Sequence, residues 1–536
     1  MNPAQLKAAA IKAVDEGRFP DGAHLYTLAA QASDDEQFAS EATQSAYDHA
    51  QLHATLQSAQ RWLTINPTSQ QAHELAALAA VRLYQVDAAY EHLNELLRAA
   101  YITPASGFLQ LLPKLADADA SAALATLQRL LLQYPNVAEA HYVVAKLAAQ
   151  TANQALMQRA AQRAHELSPF WSPAGMERAR AELSADHTEK AVAIAQDVVK
   201  NDNSVATRTD YAEILLLAGH TQEALKLLQE LEQSDSDASP AIRLLAQLDF
   251  QAGSYQAAFN RFSRLLNIGK NVSESIFYLA QIADRTGAAD EARQLYARVQ
   301  DGEYAITAQV RLARLIQAQE GIDAALASLQ QYGDAKPDDL LATVVARAEL
   351  LGATGDNVGA LALYDQSLRS FPDVASLKLS RAFLLVKMDK LNPALLALRG
   401  LVAERPQDPI MLNALGYTLV DRAMQIHQGR DYIATALQSS PDSGAVLDSM
   451  GWAEFKLGHA QAALGYLQRA AGRTIDPDLD FHLGEVLWSL KRRDDAVQVW
   501  RVGLTHAPDH VQLKQRLQRA TKLIKTIKPI TATPVD

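Results

Sequence analysis

Apolar positions along the chain fall at helical spacing, in short runs joined two by two through a turn, and no strand-like alternation is sustained anywhere. The stretch LDSMGWAEFKLGHAQAALGYLQRA (447–470) shows the unit. Two amphipathic runs meet at Gly458, and Gly451, Ala463 and Ala470 sit inside them. A glycine within a helix costs about 1 kcal/mol relative to alanine. Its presence at Gly451 therefore calls for a reason, and the reason should recur if the unit does.

It recurs with a fixed period. Gly484, Ala496 and Trp500 repeat the phase of Gly451, Ala463 and Leu467 after 33 residues. Upstream, Gly219, Gly253 and Gly287 are 34 apart, as are Ala224, Ala258 and Ala292, and Leu228, Phe262 and Tyr296. Leu231, Leu265 and Val299 keep the same step. Several columns in one register of 34 mark a helix–turn–helix repeat of tetratricopeptide type. Glycine at 219, 253, 287, 355 and 458 suits a backbone with positive φ just after a helix. The Gly451/Gly484 column, alanine in most other units, lets the paired helix approach. Large residues four and seven places after the alanine column are expected to fill the gap between units. Proline closes several units, for example at Pro67, Pro372, Pro406 and Pro441.

The expected fold is all-α: a tetratricopeptide-repeat solenoid, a right-handed superhelix of about 15 antiparallel helix pairs. The register is weak in the first third and strong after Thr207. This divides the chain into divergent helical repeats (1–205), central repeats (206–406), C-terminal repeats (407–510), and a basic terminal helix and tail (511–536).

In such a solenoid the first helices line the concave face. Residues three before, one after and four after the small column face that groove. In the last three units these are Asn413 and Tyr417; Asp448, Trp452 and Phe455; Phe481, Glu485 and Trp488. Aromatic and amide side chains are common anchors of a peptide-binding surface. A clamp for a terminal carboxylate is not supported, because Asn413 alone holds a suitable place.

Composition narrows the function. The formal net charge of −11 argues against a general nucleic-acid binder. Residues 491–536 carry ten Lys/Arg against four Asp/Glu, so +6, which leaves −17 for the remainder. A solvated terminal helix and tail account for this asymmetry, and an acidic partner would also fit it. Without cysteine there is no disulfide, cysteine metal site or thiol nucleophile. No signal peptide or membrane span is apparent.

Candidate chemistry dissolves when phased against the repeat. His506 and His510 straddle an inter-repeat proline with no third ligand. The run Asp117–Ser121 opens like a calcium loop, yet Ala122 and Gln128 stand where glycine and glutamate belong. Asp476, Asp478 and Asp480 fail similarly, with Phe481 and Leu487 at those places. Helix N-capping explains both clusters. GATGDNVG (352–359) places Gly355 on the turn column. No enzyme, cofactor or metal is expected.

The segments LNALGYTLVDR (412–422), LDSMGWAEFKLG (447–458) and FHLGEVLWSLKRRDDAVQVW (481–500), in this order, resemble the envelope tetratricopeptide lipoproteins of Gram-negative bacteria. The best-defined member type of that family is the lipoprotein binding partner of the periplasmic carboxy-terminal processing protease. The segment 38–79, with Trp62, Asn66 and Pro67, resembles it too. The resemblance implies a non-catalytic adaptor at the periplasmic face of the outer membrane, binding that serine protease and its cell-wall hydrolase substrates. The signal and lipidated cysteine are absent, as in a mature chain whose export signal has been removed; a cytoplasmic location is the alternative. A general assembly scaffold or chaperone in outer-membrane or lipopolysaccharide biogenesis fits the repeat equally. Glu454 stands where the column is usually apolar, which leaves one interface of its unit open to question.

Overall fold

A computed structural model describes residues 1–99, 103–234 and 238–527. Among them are thirty-one α-helices, numbered in chain order from α1 (Pro3–Asp15) to α31 (Val511–Ile527), one short 3-10 turn and no strand. The number is consistent with about fifteen pairs and a terminal helix. The chain forms an all-α solenoid of tetratricopeptide type. Two compact units are distinguished: unit 1 comprises Met1–Leu147 and Ala155–Lys390, and unit 2 comprises Ala148–Gln154 and the chain from Leu391 onward. Positions 528–536 of the expected C-terminal tail lie outside the described residues.

The turn column is the most regular feature. Gly219, Gly253, Gly287, Gly355 and Gly458 all adopt positive φ, between 75° and 90°. Seven non-glycine residues hold the left-handed conformation at the same phase: Ala50, Tyr84, Ala152, Asp186, Asp389, Ala423 and Lys491. In each type the following residue donates to a carbonyl five places back, as from His220 to Leu215 (2.8 Å), Gln51 to Ala46 (2.8 Å) and Met424 to Leu419 (3.0 Å). This satisfies carbonyls left open at a helix end. The repeat therefore runs through the divergent first third, where sequence register is weak because alanine, tyrosine or aspartate occupies the turn.

The opening glycines are explained by contact. A Cβ on Gly451, in α27 (Gly444–Lys456), would lie 2.6 Å from Leu467 Cγ. One on Gly484, in α29 (Pro477–Ser489), would lie 1.9 Å from Trp500 Nε1. Leu467 is in α28 (Ala460–Ala471) and Trp500 in α30 (Arg493–His506), the second helices of the same pairs. Here the sequence expectation needs correction. The large residue four places after the alanine column presses onto the small column within its own pair, besides reaching neighbouring units. Trp500 is fully buried, and its indole N–H donates to Phe481 O at 3.3 Å.

Ala224, Ala258 and Ala292 are fully buried, each in a cluster with its column partner Leu228, Phe262 or Tyr296. The expected capping roles are also present. Asp119 Oδ1 accepts from the N–H groups of Ser121 and Ala122 at 3.1 and 3.0 Å. Asp476 accepts from Asp478 N–H at 2.8 Å, and Asp356 from Gly359 N–H at 2.8 Å. Glu454 is buried but not orphaned: Arg430 Nε donates to it at 2.7 Å and His459 Nδ1 stands 2.7 Å away. Burial alone would raise its pKa, but these two contacts outweigh burial and hold it below the usual glutamate value.

Candidate protein-binding surface

Three first helices of unit 2, α25 (Pro409–Asp421), α27 and α29, lie side by side. Side chains three places before the small column, one after it and four after it share one face of such a helix row. Tyr417, Asp448, Trp452, Phe455 and Phe481 come together there around a residue that sequence phase did not single out, His482.

His482 is buried, with Nδ1 at 2.9 and 3.1 Å from the two carboxylate oxygens of Asp448. Its ring stacks on Trp452 with centroids 4.1 Å apart and planes inclined by 22°. Phe455 stacks on the Trp452 ring at 5.4 Å, Phe481 lies 6.3 Å from it, and Tyr417 lies 6.2 Å from His482. The Trp452 indole N–H reaches Asp421 Oδ1 at 3.4 Å, and Lys456 Nζ sits 4.5 Å from its ring centroid. Offset aromatic stacking and a cation over an indole each add modest attraction beyond the area buried.

Exposure separates these side chains into two kinds. Trp452 is only 6% exposed, so it forms the floor of the surface. Tyr417, Phe455 and Phe481 are half-buried and so remain partly open to solvent. The Tyr417 phenol is pushed upward, first by burial and then by the carboxylates of Asp421, Asp448, Asp478 and Asp476. It stays a neutral hydrogen-bonding group beside an acidic rim. Asn413 is half-buried, and its Oδ1 is buried without a hydrogen-bond partner. Glu485 and Trp488 belong to the adjoining cluster. Glu485 pairs with Arg516 of α31, whose guanidinium also lies 5.2 Å from the Trp488 ring. Arg493 stands 5.6 Å from that ring, and Trp500 lies 5.8 Å from it.

The corresponding row in unit 1 has different chemistry. Lys7 pairs with Glu41 at 2.5 Å, Arg180 with Asp210 and Glu213 at 3.1 and 2.9 Å, and Arg243 with Glu274 at 2.5 Å. Glu177 is 1% exposed, with Lys146 and Arg180 at 3.5 and 3.8 Å. Apart from the Arg180–Glu177 pair, these ion pairs link successive first helices, so the unit 1 row mixes paired charges with aromatic rings such as Phe250, 5.1 Å from Tyr278, and Phe277, 4.7 Å from Tyr304. The sequence signal was available, since the same offsets give Lys146, Arg180, Glu213 and Arg243, along with Tyr142, Phe250 and Phe277. Among the described residues, no group of three or more His, Asp or Glu is placed to hold a metal ion. No helix there is long and apolar enough to cross a membrane.

No protein-family model matches the chain. It is 30% identical over 214 residues to a TPR repeat-containing protein of Pseudomonas aeruginosa, a match covering 40% of this chain and 36% of that protein's length. Among solved structures, it is similar to a thermophilic TPR protein of Thermus thermophilus at 23% identity. That overlay covers 33% of this chain and 97% of the other, with a TM-score of 0.31. A tetratricopeptide repeat protein from Parabacteroides merdae overlays at 12% identity and a TM-score of 0.36, covering 46% and 98% of the two chains. At such scores the fold rests on the chain's own helix pairs and turn column.

Proposed function

We propose that this chain is a scaffold without catalysis of its own, an adaptor that holds a periplasmic carboxy-terminal processing serine protease together with its cell-wall hydrolase substrates. One observation carries most of the weight. The three segments that resemble the envelope lipoprotein adaptors build α25, α27, α29 and α30, and they supply the aromatic face around Trp452 and His482. A half-buried aromatic surface on a rigid base is what a protein partner can anchor on. Ion pairs join the first helices of unit 1 at Arg180 and Arg243, a chemistry the Trp452 face does not share, which favours separate surfaces for protease and substrate. Residence at the periplasmic face of the outer membrane, through a lipid on a cysteine outside this sequence, belongs to the same proposal.

Pull-down with purified partners tests it. Tyr417→Ala with Phe455→Ala removes two half-buried rings while keeping the Trp452 floor. Loss of an anchor typically costs 2 kcal/mol or more, roughly thirtyfold in affinity. The double variant should release one partner and keep the other, with helix content unchanged. A folded double variant that holds both partners at wild-type strength would move the binding surface elsewhere. Capture of an outer-membrane or lipopolysaccharide assembly machine, and of no protease, would replace the adaptor reading.

A further inference from the structure

Solenoid repeats ordinarily touch only their neighbours in the chain. Two sets of contacts here break that rule in the same way. In unit 1, Gln51 follows the left-handed Ala50 and donates from Nε2 to Ser370 O at 2.7 Å, across 319 residues. Asp373 then receives the backbone N–H of His53 on Oδ2 at 3.1 Å, while Oδ1 lies 2.8 Å from His53 Nδ1. In unit 2, Asn153 follows the left-handed Ala152 and donates from Nδ2 to Ser439 O at 3.3 Å, across 286 residues. Asp442 receives the N–H of Gln154 on Oδ2 at 3.1 Å and returns its own N–H to Ala152 O at 3.0 Å. The acceptors lie in the frames SFPD (370–373) and SSPD (439–442), each at an inter-repeat proline.

The chemistry is that of a helix cap supplied from far along the chain. Helix α4 (Leu52–Ile65) starts without a side-chain cap of its own. Its first N–H groups carry the positive end of the helix dipole, and a carboxylate is a favourable acceptor there. An apolar contact stands beside it. Phe19 stacks on His49 at 4.6 Å and meets Phe371 at 5.4 Å, and Phe19 and Ala50 pack against the cluster containing Val344, Phe371 and Leu377. Phe371 is 6% exposed.

We infer that unit 1 carries a latch. The Ser370–Asp373 corner grips the α3–α4 turn and the N-terminus of α4, where α3 is Glu36–Asp48, and so fixes the curvature of the repeats in between. Releasing it lets unit 1 open without unfolding a repeat, because the stacked pairs keep all their neighbour contacts.

The absence of cysteine makes site-specific labelling direct. In the full chain, Gln57→Cys and Ser376→Cys, both exposed, take spin labels for distance measurement. A single narrow distance distribution is expected. Adding Phe19→Ala and Asp373→Ala should shift and broaden it toward longer distances, with helix content preserved. Hydrogen exchange in segment 52–58 should also quicken by about tenfold or more, as for loss of a hydrogen bond to a charged group. Should that variant fold poorly, Asp373→Ala alone, which removes the acceptor of the His53 N–H, must still quicken exchange in segment 52–58. An unchanged distance distribution in the folded variant, or unchanged exchange with Asp373→Ala, would overturn the latch.

Discussion

The contact between Gly484 and Trp500 makes the packing logic quantitative. In the repeat, the small column and the residue sixteen places later form a matched set: Ala246 with Phe262, Ala280 with Tyr296, Gly451 with Leu467, Gly484 with Trp500. Glycine stands opposite tryptophan because a Cβ at 484 would sit 1.9 Å from Nε1 and 2.4 Å from Cε2 of a fully buried ring. Gly484→Ala thus overpacks the pair, which typically costs about 1–3 kcal/mol. Displacing the ring also endangers the bond from its N–H to Phe481 O, worth about 1 kcal/mol. Alanine's better helix propensity returns about 1 kcal/mol, so the net loss should be about 1–3 kcal/mol. Long repeat arrays do not unfold in one step. The readout is therefore hydrogen exchange across α29 and α30 together with denaturant unfolding followed by tryptophan fluorescence. Trp500→Phe should rescue the alanine, since alanine already faces Phe262 and Tyr296 in other units. Stability of Gly484→Ala within about 0.5 kcal/mol of wild type, or no coupling between the two changes in a double-mutant cycle, would refute the packing argument.

Three further outcomes follow from particular contacts. Ala423→Gly should stabilise its turn by about 1 kcal/mol, because Ala423 holds φ at 51°, and Gly458→Ala should destabilise by a similar amount; local exchange protection reads both. Glu454 has a depressed folded pKa, so its stabilisation is present above the unfolded value of about 4.3 and is lost as pH falls through the folded one; acid unfolding of α27–α28 should become less pH-sensitive in Glu454→Gln. Trp452→Ala should cost about 3–5 kcal/mol of local stability, since it empties a buried indole site, whereas Tyr417→Ala should leave thermal unfolding much closer to wild type.

Much of the fold was legible because glycine, alanine and proline leave columns that survive without neighbours in space. The first third was harder for a physical reason. A left-handed turn needs one tolerable residue, and Ala50, Tyr84 and Asp186 meet that need without the glycine that makes the column visible. The aromatic face was legible in phase but not in depth. Periodicity says which way Trp452 points, and cannot say that His482, arriving from the next pair and bound to Asp448, covers its ring. Nor could it anticipate that Glu454 keeps its buried place through Arg430 and His459, or that Asp373 caps a helix 320 residues away.

In the role proposed above, the chain raises proteolysis by bringing two partners together. Tethering both on one scaffold turns their encounter intramolecular, with effective concentrations up to the order of mM for short linkages. The direct measurement is the rate at which a purified carboxy-terminal processing protease cleaves a cell-wall hydrolase, with both at low concentration, as this chain is titrated in. The account predicts a rate that climbs, peaks near equimolar scaffold and falls in excess as the partners are divided between separate copies. A cleavage rate indifferent to the chain at every ratio would contradict it.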